Sequence, residues 1–205
     1  MTDESPGAIF APLSVVNDDV RARLQAQLAD AAEASGLLDI AYRTIDTPVG
    51  RLLLAATDVG PVRVAFECED HDLVLANLAE RVSPRILKAP RRLDSLAAAL
   101  DEYFSGRRHS FDLRLDYRLT TAFRREVLAQ LPGIGFGTTA SYATIAKRTG
   151  RPRAVRAVGT ACATNPLPVV VPCHRVVRTD GGVGHYIGGI DAKIALLKLE
   201  SSLDR

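Results

Sequence analysis

The chain has 205 residues, of which 47% are hydrophobic and 24% are charged. These values are close to the average of globular proteins, so the composition excludes an intrinsically disordered chain. No apolar run approaches the roughly 18–20 residues of a membrane-spanning helix, and the first residues lack the basic and apolar regions of a secretory signal. The sequence therefore predicts a soluble cytoplasmic protein with no membrane association.

The cysteines are Cys68, Cys162 and Cys173. An odd number of cysteines without the spacing of metal ligands argues against a disulfide framework and against a zinc site, and it fits a reducing cytoplasm. We therefore predict no metal ion and no cofactor. Cys68 and Cys162 have nothing reactive near them in sequence, and we interpret both as structural.

The overall net charge of +2 is the sum of two unlike parts. Residues 1–118 hold 14 Lys/Arg and 19 Asp/Glu, a net charge of −5, whereas residues 119–205 hold 12 Lys/Arg and 5 Asp/Glu, a net charge of +7. A basic part beside an acidic part indicates a polyanionic partner for the basic part. An unevenly distributed solvated surface explains the charge equally well, so charge alone leaves both interpretations open.

The chain begins with a short aperiodic stretch, residues 1–16, which we interpret as a loose tail. Asn17 or Asp18 is a candidate N-cap for a helix that runs to about Ser35. We assign residues 1–38 to an N-terminal extension that is dispensable for the core. The apolar positions on one stripe of the helix are Val20, Leu24 and Leu28.

Residues 39–116 change to short alternating segments that are typical of strands and small helices. The predicted strands cover residues 40–47, 51–58, 62–68 and 110–115, and the predicted helices cover residues 72–82 and 93–104. Because the turns between the first three strands are short, we expect hairpins. This part is therefore interpreted as a small α+β module with an antiparallel sheet.

Residues 117–205 form the second predicted domain, which is mostly helical. The predicted helices cover residues 120–131, 141–148, 152–163 and 190–203, and Pro152 suits a first helical turn. The second and third of these have the spacing of a helix-turn-helix, although a plain helical hairpin in a core is more common. DNA binding is favoured by five basic residues in ten positions, namely Lys147, Arg148, Arg151, Arg153 and Arg156.

A Cys-His pair follows the valines of residues 169–171, which we interpret as a strand buried on both faces. Cysteine is a useful nucleophile only as the thiolate, so a nearby imidazole suggests activation of the thiol. Adjacent residues of an extended chain point to opposite sides. Either the chain turns at Cys173 and His174, or a water relays the proton. Taken alone, the pair is most simply a buried structural cysteine beside an exposed histidine.

A glycine-rich loop and a last helix complete the chain. The loop, residues 181–189, matches neither the Walker nor the dinucleotide pattern, so we interpret it as the wall of a pocket for a flat ligand. In the last helix, Glu200 lies near the end and Lys193 is interpreted as a surface charge. The residues predicted to face inward are Ile194, Leu197 and Leu203.

Several motifs occur in a specific order. The run PCHRV at residues 172–176 is preceded by RAVG and by Asn-Pro, and it is followed by G-x-Y-x-G-G, a lysine and a glutamate. In these features the chain resembles the O6-alkylguanine-DNA alkyltransferases, also called methylated-DNA–protein-cysteine methyltransferases. The resemblance covers roughly residues 40–200, and it is strongest from Phe123 to Glu200.

The resemblance implies an α+β fold, with a small ribonuclease H-like module that contains an antiparallel sheet, and a mostly helical C-terminal domain with a helix-turn-helix. It implies direct-reversal DNA repair, in which the alkyl group of O6-alkylguanine moves irreversibly to a cysteine, with O4-alkylthymine left open as a second substrate. The partner would be duplex DNA with an alkylated base. The protein would be a cytoplasmic monomer that joins the nucleoid when bound to DNA, with clustering on DNA left open.

Each motif residue has an implied role in such a protein. Cys173 would be the alkyl acceptor, and His174 would be the base that acts through a water. Glu200 would orient His174, and Asn165 would brace the active-site turn. Tyr142 would help to rotate the nucleotide and donate a proton to the departing guanine.

The resemblance also implies the DNA and base contacts. Arg156 would enter the base stack and fill the gap left by a flipped base, and extrusion of the base costs a few kcal/mol. The pocket would be lined by Val176, Tyr186, Ile187 and Gly188. The other predicted DNA-binding residues are Lys147, Arg148, Arg151, Arg153 and Arg175.

Three other functions are compatible with parts of this pattern. A non-catalytic protein that flags alkylated DNA would share the fold but lack the acceptor cysteine. A helix-turn-helix regulator would prefer one DNA sequence and would form a dimer, for which we see no heptad. A Cys-His-Glu hydrolase would need an oxyanion hole and would turn over repeatedly.

Overall fold

The structure is a computed structural model that describes residues 17–203, so the predicted tail over residues 1–16 lies outside the described residues. The first helix, α1 (Asp18–Ala34), follows the predicted N-cap Asn17, whose side-chain oxygen accepts a hydrogen bond from the Asp19 amide at 3.1 Å. The inward side of α1 is formed by Ala29, whereas the apolar stripe on which the prediction relied is exposed to solvent. The exposed stripe comprises Val20, Leu24 and Leu28.

Four strands form a mixed sheet with the order β3-β2-β1-β4. Their bounds are β1 Ile40–Thr47, β2 Gly50–Ala56, β3 Pro61–Phe66 and β4 Ile86–Lys88. The first three are antiparallel neighbours, as predicted, and the β1–β2 hairpin closes at Gly50, whose φ of +98° suits glycine. The fourth strand is parallel to β1.

The prediction of a strand over residues 110–115 is wrong. The edge beside β1 is occupied by β4, and the segment 110–115 passes the other edge near the start of β3. There the Asp116 amide donates to the Pro61 carbonyl at 2.8 Å. Further along the same edge of β3, the Val64 amide donates to the Pro166 carbonyl. Since the neighbours of β3 come from two different segments, no continuous ladder forms.

The sheet separates two layers of side chains. One helix packs in each layer, namely α2 (His71–Arg81) and α3 (Asp94–Phe104). Leu53 and Ala55 of β2 point to the cluster that includes α2, and Leu52 and Leu54 point to the larger cluster that includes α3. We call β1–β4 with α2 and α3 the sheet module.

The remaining elements form what we call the helical half. Their bounds are α4 Ala122–Leu128, β5 Ala140–Ser141, α5 Tyr142–Arg148, α6 Val155–Ala163, β6 Val176–Val177 and α7 Gly189–Leu203. Its buried residues belong to the same cluster as α3, so one core joins both parts. Within the described residues, no helix combines the length and the apolar character that crossing a membrane requires.

The helix-turn-helix is formed by α5 and α6, as predicted. Its second helix begins at Val155 rather than at Pro152, because residues 151–154 close a turn in which the Ala154 amide donates to the Arg151 carbonyl at 2.9 Å. Ser141 caps α5, where its hydroxyl accepts from the Thr144 amide at 3.1 Å.

The inward face of α7 differs from the prediction. Ile194 and Leu197 are only half-buried, and Leu203 is exposed. The buried residues follow a different stripe with spacings of three and four, namely Ala192, Lys193, Leu196 and Glu200. The last helix therefore turns two charged side chains into the core, where both require partners.

Candidate active site

The Cys-His pair lies in a tight turn. Residues Cys173–Arg175 form a single 3-10 turn immediately before β6, so the two neighbouring side chains need not point to opposite sides as in a strand. Cys173 is 1% exposed and His174 is fully buried. The interpretation as a buried cysteine beside an exposed histidine is therefore wrong.

The three valines before this turn do not form a strand, contrary to the prediction, although they are buried. The Val171 amide donates to the Leu167 carbonyl at 2.8 Å, and the Cys173 amide donates to the Val171 carbonyl at 2.8 Å. Val169 has a φ of +70°, which is unusual for a β-branched residue. Successive turns thus replace the ladder that β-branched side chains favour.

Asn165 holds these turns together through its side-chain amide. Its Nδ2 donates to the Val171 carbonyl at 2.9 Å and to Cys173 Sγ at 3.1 Å, and its Oδ1 accepts from the Leu167 amide at 3.0 Å. The residue is fully buried. It therefore fixes the position of the thiol relative to the backbone.

His174 is paired with Glu200, which α7 carries into the site. The distance from His174 Nε2 to Glu200 Oε1 is 2.8 Å. Burial raises the pKa of Glu200, but hydrogen bonds from His174 and Arg175 outweigh burial and lower it to about 2. An ionised carboxylate only accepts hydrogen bonds, so Nε2 carries the proton and Nδ1 is left as an acceptor. Nδ1 is buried and has no hydrogen-bond partner among residues 17–203.

Glu200 also accepts hydrogen bonds from elsewhere. The Arg175 guanidinium donates from Nε to Oε2 at 2.9 Å and from Nη2 to Oε1 at 2.9 Å, and the Tyr103 hydroxyl donates to Oε1 at 2.7 Å. The Gly137 amide donates to Oε2 at 3.3 Å. With these donors, the buried carboxylate is fully satisfied.

The prediction that Arg175 binds DNA is contradicted by its position. Arg175 is 5% exposed, and its other guanidinium nitrogen donates to the Ile134 carbonyl at 2.6 Å. Its guanidinium also lies over the Phe136 ring, 5.7 Å from the centroid. Since its donors are directed to groups inside the protein, the side chain neutralises Glu200 instead of a phosphate.

The two reactive groups are neutral at physiological pH. Burial raises the pKa of Cys173 to about 11, although the hydrogen bond from Asn165 and the nearby Lys193 both oppose this rise. Burial lowers the pKa of His174, while its bond to Glu200 acts in the other direction. The resting pair is therefore a thiol and a neutral imidazole, so removal of the thiol proton needs a base at the moment of reaction.

Lys193 is not the surface charge that the sequence predicted. It is fully buried, and its Nζ donates to the Val176 carbonyl at 2.6 Å. The Nζ also lies 6.0 Å from the centroid of the Tyr142 ring. Burial lowers the pKa of Lys193, and only negative charge on the nearby Cys173 and Cys162 would act in the opposite direction. The site thus contains a cation that the sequence interpretation missed, although its spacing of seven from Glu200 places both on one helix face.

The predicted pocket residues lie in β6 and in the glycine-rich loop that follows it. Val176 and Tyr186 are buried, and Ile187 and Gly188 are half-buried. The Tyr186 ring lies 5.6 Å from that of Phe66 and 6.4 Å from that of His174, in edge-to-face arrangements. A Cβ on Gly188 would be 2.7 Å from three Phe66 ring atoms, so this glycine lets the loop approach the sheet module.

Tyr142 begins α5 and packs against the same glycine-rich loop. Its hydroxyl would be 2.9 Å from a Cβ on Gly184, which has a φ of +71°. Burial raises the pKa of Tyr142 to about 12, so its hydroxyl stays protonated and can donate. The side chain remains partly exposed, unlike that of His174.

The five predicted basic residues of the helix-turn-helix are exposed on α5, on the turn and on α6. Arg151 differs from the others, because it pairs with Glu126 at 3.2 Å and lies over the Phe123 ring at 4.9 Å. The residues with no such acidic partner among residues 17–203 are Lys147, Arg148, Arg153 and Arg156. Within the same residues, no three His, Cys, Asp or Glu side chains are grouped to hold a metal ion.

Two family models match the chain. Residues 40–117 match the "6-O-methylguanine DNA methyltransferase, ribonuclease-like domain", and residues 122–202 match the "6-O-methylguanine DNA methyltransferase, DNA binding domain". Together the two matches cover most of the chain, and both components of the predicted resemblance are confirmed.

Similar proteins carry matching names. A methylated-DNA–protein-cysteine methyltransferase from Mycolicibacterium paratuberculosis is 40% identical over 161 residues, which are 78% of this chain and 92% of the relative. A constitutive one from Bacillus subtilis is 35% identical over 163 residues, 78% of this chain and 94% of the relative. The crystal structure of Mycobacterium tuberculosis OGT in complex with DNA has a TM-score of 0.68 at 37% identity, and the match covers 80% of this chain and 94% of that one.

Proposed function

The chain belongs to the 6-O-methylguanine DNA methyltransferase family, a family of direct-reversal DNA repair enzymes, and we propose that it transfers the alkyl group of an alkylated base in duplex DNA to Cys173. The observation that supports this assignment most directly is the joint position of Cys173 and His174. The thiol is held by Asn165, and Nδ1 of the neighbouring imidazole is left as a buried acceptor without a protein partner among residues 17–203.

The proton path follows from the hydrogen bonds of His174. Because Nε2 donates to Glu200, only Nδ1 is available to accept the thiol proton, and a bridging water would carry it from Cys173. Glu200 stays ionised and stabilises the imidazolium that forms, while Arg175 keeps the carboxylate in place. A neutral, buried thiol is thereby converted to a thiolate only when a proton acceptor is aligned.

The transfer step balances without any co-reactant. The bond between the guanine oxygen and the alkyl carbon breaks as the bond between Cys173 Sγ and that carbon forms. The thiol proton passes to His174, and the departing guanine gains a proton from the Tyr142 hydroxyl next to the pocket. The imidazolium then releases one proton to solvent and the Tyr142 phenolate takes one up, so the net change is the transfer of one proton from the thiol to the guanine. A thioether is not converted back to a thiol in neutral aqueous solution, so each protein molecule acts once.

The lesion has to leave the base stack because Cys173 is buried. Arg156 is exposed near the start of α6, the second helix of the helix-turn-helix. We assign to it the insertion that offsets part of the lost stacking, while Lys147, Arg148 and Arg153 contact phosphates. Arg151 contributes less, because Glu126 already neutralises it. We assign a monomer as the active form.

The other functions considered from the sequence are less well supported. A non-catalytic protein that flags lesions has no use for a thiol held by Asn165 beside a paired imidazole. A sequence-reading regulator has no use for the buried site. A Cys-His-Glu hydrolase shares the side chains but must turn over repeatedly, which the experiment below detects.

The decisive experiment is mass spectrometry after incubation with a duplex that carries one O6-methylguanine. We expect each protein molecule to gain one methyl group on the peptide that contains Cys173, with no second turnover. The Cys173→Ala variant should bind the duplex without gaining mass. The Cys68→Ala variant loses an exposed thiol that lies 3.7 Å from the Ile187 carbonyl and takes no part in the proton path, so it should still be methylated on Cys173. Binding without any mass change in the parent would instead indicate a lesion-flagging protein.

A further inference from the structure

A tyrosine of the sheet module reaches the reactive centre of the helical half. Tyr103 lies in the last turn of α3 and is fully buried. Its hydroxyl donates to Glu200 Oε1 at 2.7 Å and lies 3.4 Å from His174 Nε2. The Tyr103–Glu200 contact joins residues 97 positions apart, and none of the motifs considered above contains Tyr103.

The aromatic ring is held on several sides. Phe104 and Phe136 make edge-to-face contacts with centroid distances of 5.3 and 6.0 Å, and Phe111 lies at 5.5 Å. Burial, followed by the charge of Glu200, raises the pKa of Tyr103 well above its ordinary value. The hydroxyl is therefore a fixed, protonated donor whenever the carboxylate is ionised.

This donor shares one oxygen with the catalytic histidine. Oε1 of Glu200 accepts from Tyr103, from His174 Nε2 and from Arg175 Nη2, whereas Oε2 accepts from Arg175 and Gly137. Tyr103 and Arg175 therefore set the direction in which Oε1 faces the imidazole and reduce its effective negative charge. The other charged side chain facing His174 from a neighbouring element is Lys193 of α7.

We propose that Tyr103 is a positioning residue for alkyl transfer: its hydroxyl holds Oε1 of Glu200 so that His174 keeps its proton on Nε2 and directs Nδ1 toward the thiol. This inference rests on the proposed function of Cys173 and His174. It gives the sheet module a part in positioning the base, because the helical half supplies the nucleophile and the base but not this donor.

Loss of the hydroxyl has two expected consequences. The carboxylate becomes freer to rotate, so the imidazole is aligned less often and transfer slows. The carboxylate also keeps more of its negative charge, which favours the imidazolium and moves the acid limb of the pH–rate profile toward higher pH. A general base contributes about 10²–10⁴-fold to a rate, and we expect loss of this support to cost about tenfold.

The test compares Tyr103→Phe with the parent in single-turnover methyl transfer from an O6-methylguanine duplex across pH. We expect a rate about tenfold lower, an acid limb shifted to higher pH, unchanged DNA affinity, and complete methylation of Cys173 at long times. The matched control is Tyr42→Phe, which removes the hydroxyl of a half-buried tyrosine in β1 and should change neither the rate nor the profile.

The possible outcomes separate this inference from the proposed function. If the parent methylates Cys173 and Tyr103→Phe retains its rate and pH profile, Tyr103 has no positioning role. A slower variant whose profile is unshifted and whose thermal unfolding temperature falls in parallel would also overturn the inference, because the tyrosine would then be only structural. Absence of methylation in the parent would contradict the proposed function itself.

Discussion

Replacing Asn165 by alanine removes the side chain that holds the active-site turns. The change deletes the donor to the Val171 carbonyl at 2.9 Å, the donor to Cys173 Sγ at 3.1 Å and the acceptor for the Leu167 amide at 3.0 Å. Both backbone partners belong to fully buried residues, so water cannot easily replace the lost groups. A buried polar group left unsatisfied costs about 1–3 kcal/mol. We therefore expect the free energy of unfolding to fall by about 2–5 kcal/mol.

The same substitution should also slow the chemistry. The Asn165 hydrogen bond lowers the pKa of the Cys173 thiol, so without it the pKa rises above its present value of about 11 and the thiolate becomes harder to form. Val169 would also lose the neighbouring support that keeps its φ at +70°. Transfer to an O6-methylguanine duplex should therefore be slower even under conditions in which the variant is fully folded.

Urea unfolding and single-turnover transfer measure these two effects separately. The matched control is Asn77→Ala on α2, because the Asn77 amide donates to the Leu73 carbonyl at 2.9 Å but is exposed. Its loss should change stability by no more than about 0.5 kcal/mol. If Asn165→Ala were as mild as the control, the argument that this amide organises the site would be refuted.

Three further predictions concern the insertion of Arg156 into DNA, the charge of the Glu200 carboxylate and the pH dependence of transfer. Arg156→Ala should slow repair of duplex DNA far more than reaction with free O6-methylguanine, and equal losses in parallel assays would make Arg156 structural. Glu200→Gln should slow transfer and reduce stability by about 3–5 kcal/mol, because Arg175 stays buried without its carboxylate; a parent-like rate would remove Glu200 from the proton path. Transfer should decline as the pH falls below the ordinary histidine value of 6.5, because burial places the pKa of His174 below it. A rate that stays constant until Glu200 itself protonates, near its pKa of about 2, would exclude His174 as the base.

Much of what we predicted from the sequence depended on local patterns. The alternation in β1–β3, the cap of α1, and the basic turn between α5 and α6 depend on neighbouring residues, so the sequence could predict them. The motif around Cys173 is contiguous, which is why the resemblance pointed to a candidate nucleophile and the neighbouring imidazole without a structure. The separate positions of Asn165 and Glu200 came only from the family pattern.

Where tertiary hydrogen bonds compete with local preference, the predictions were wrong. Three β-branched residues favour a strand over residues 169–171, but the buried Asn165 amide satisfies the backbone of a series of turns there. In the same way, residues 110–115 have the composition of a strand, yet the sheet edge they pass is shared with Pro166 of the helical half.

The sequence by itself determined the family, the antiparallel strands β1–β3, the main helices and the candidate nucleophile, because each of these is encoded in short stretches of chain. Only the tertiary structure decided which polar side chains are buried. Lys193, Arg175 and Tyr103 have ordinary local surroundings, and their partners lie 17, 25 and 97 residues away. Burying a charged or polar group is unfavourable unless such a partner is in place. For Lys193 and Arg175 the partner is positioned by packing within the helical half, and for Tyr103 it is positioned by the packing of the sheet module against the helical half.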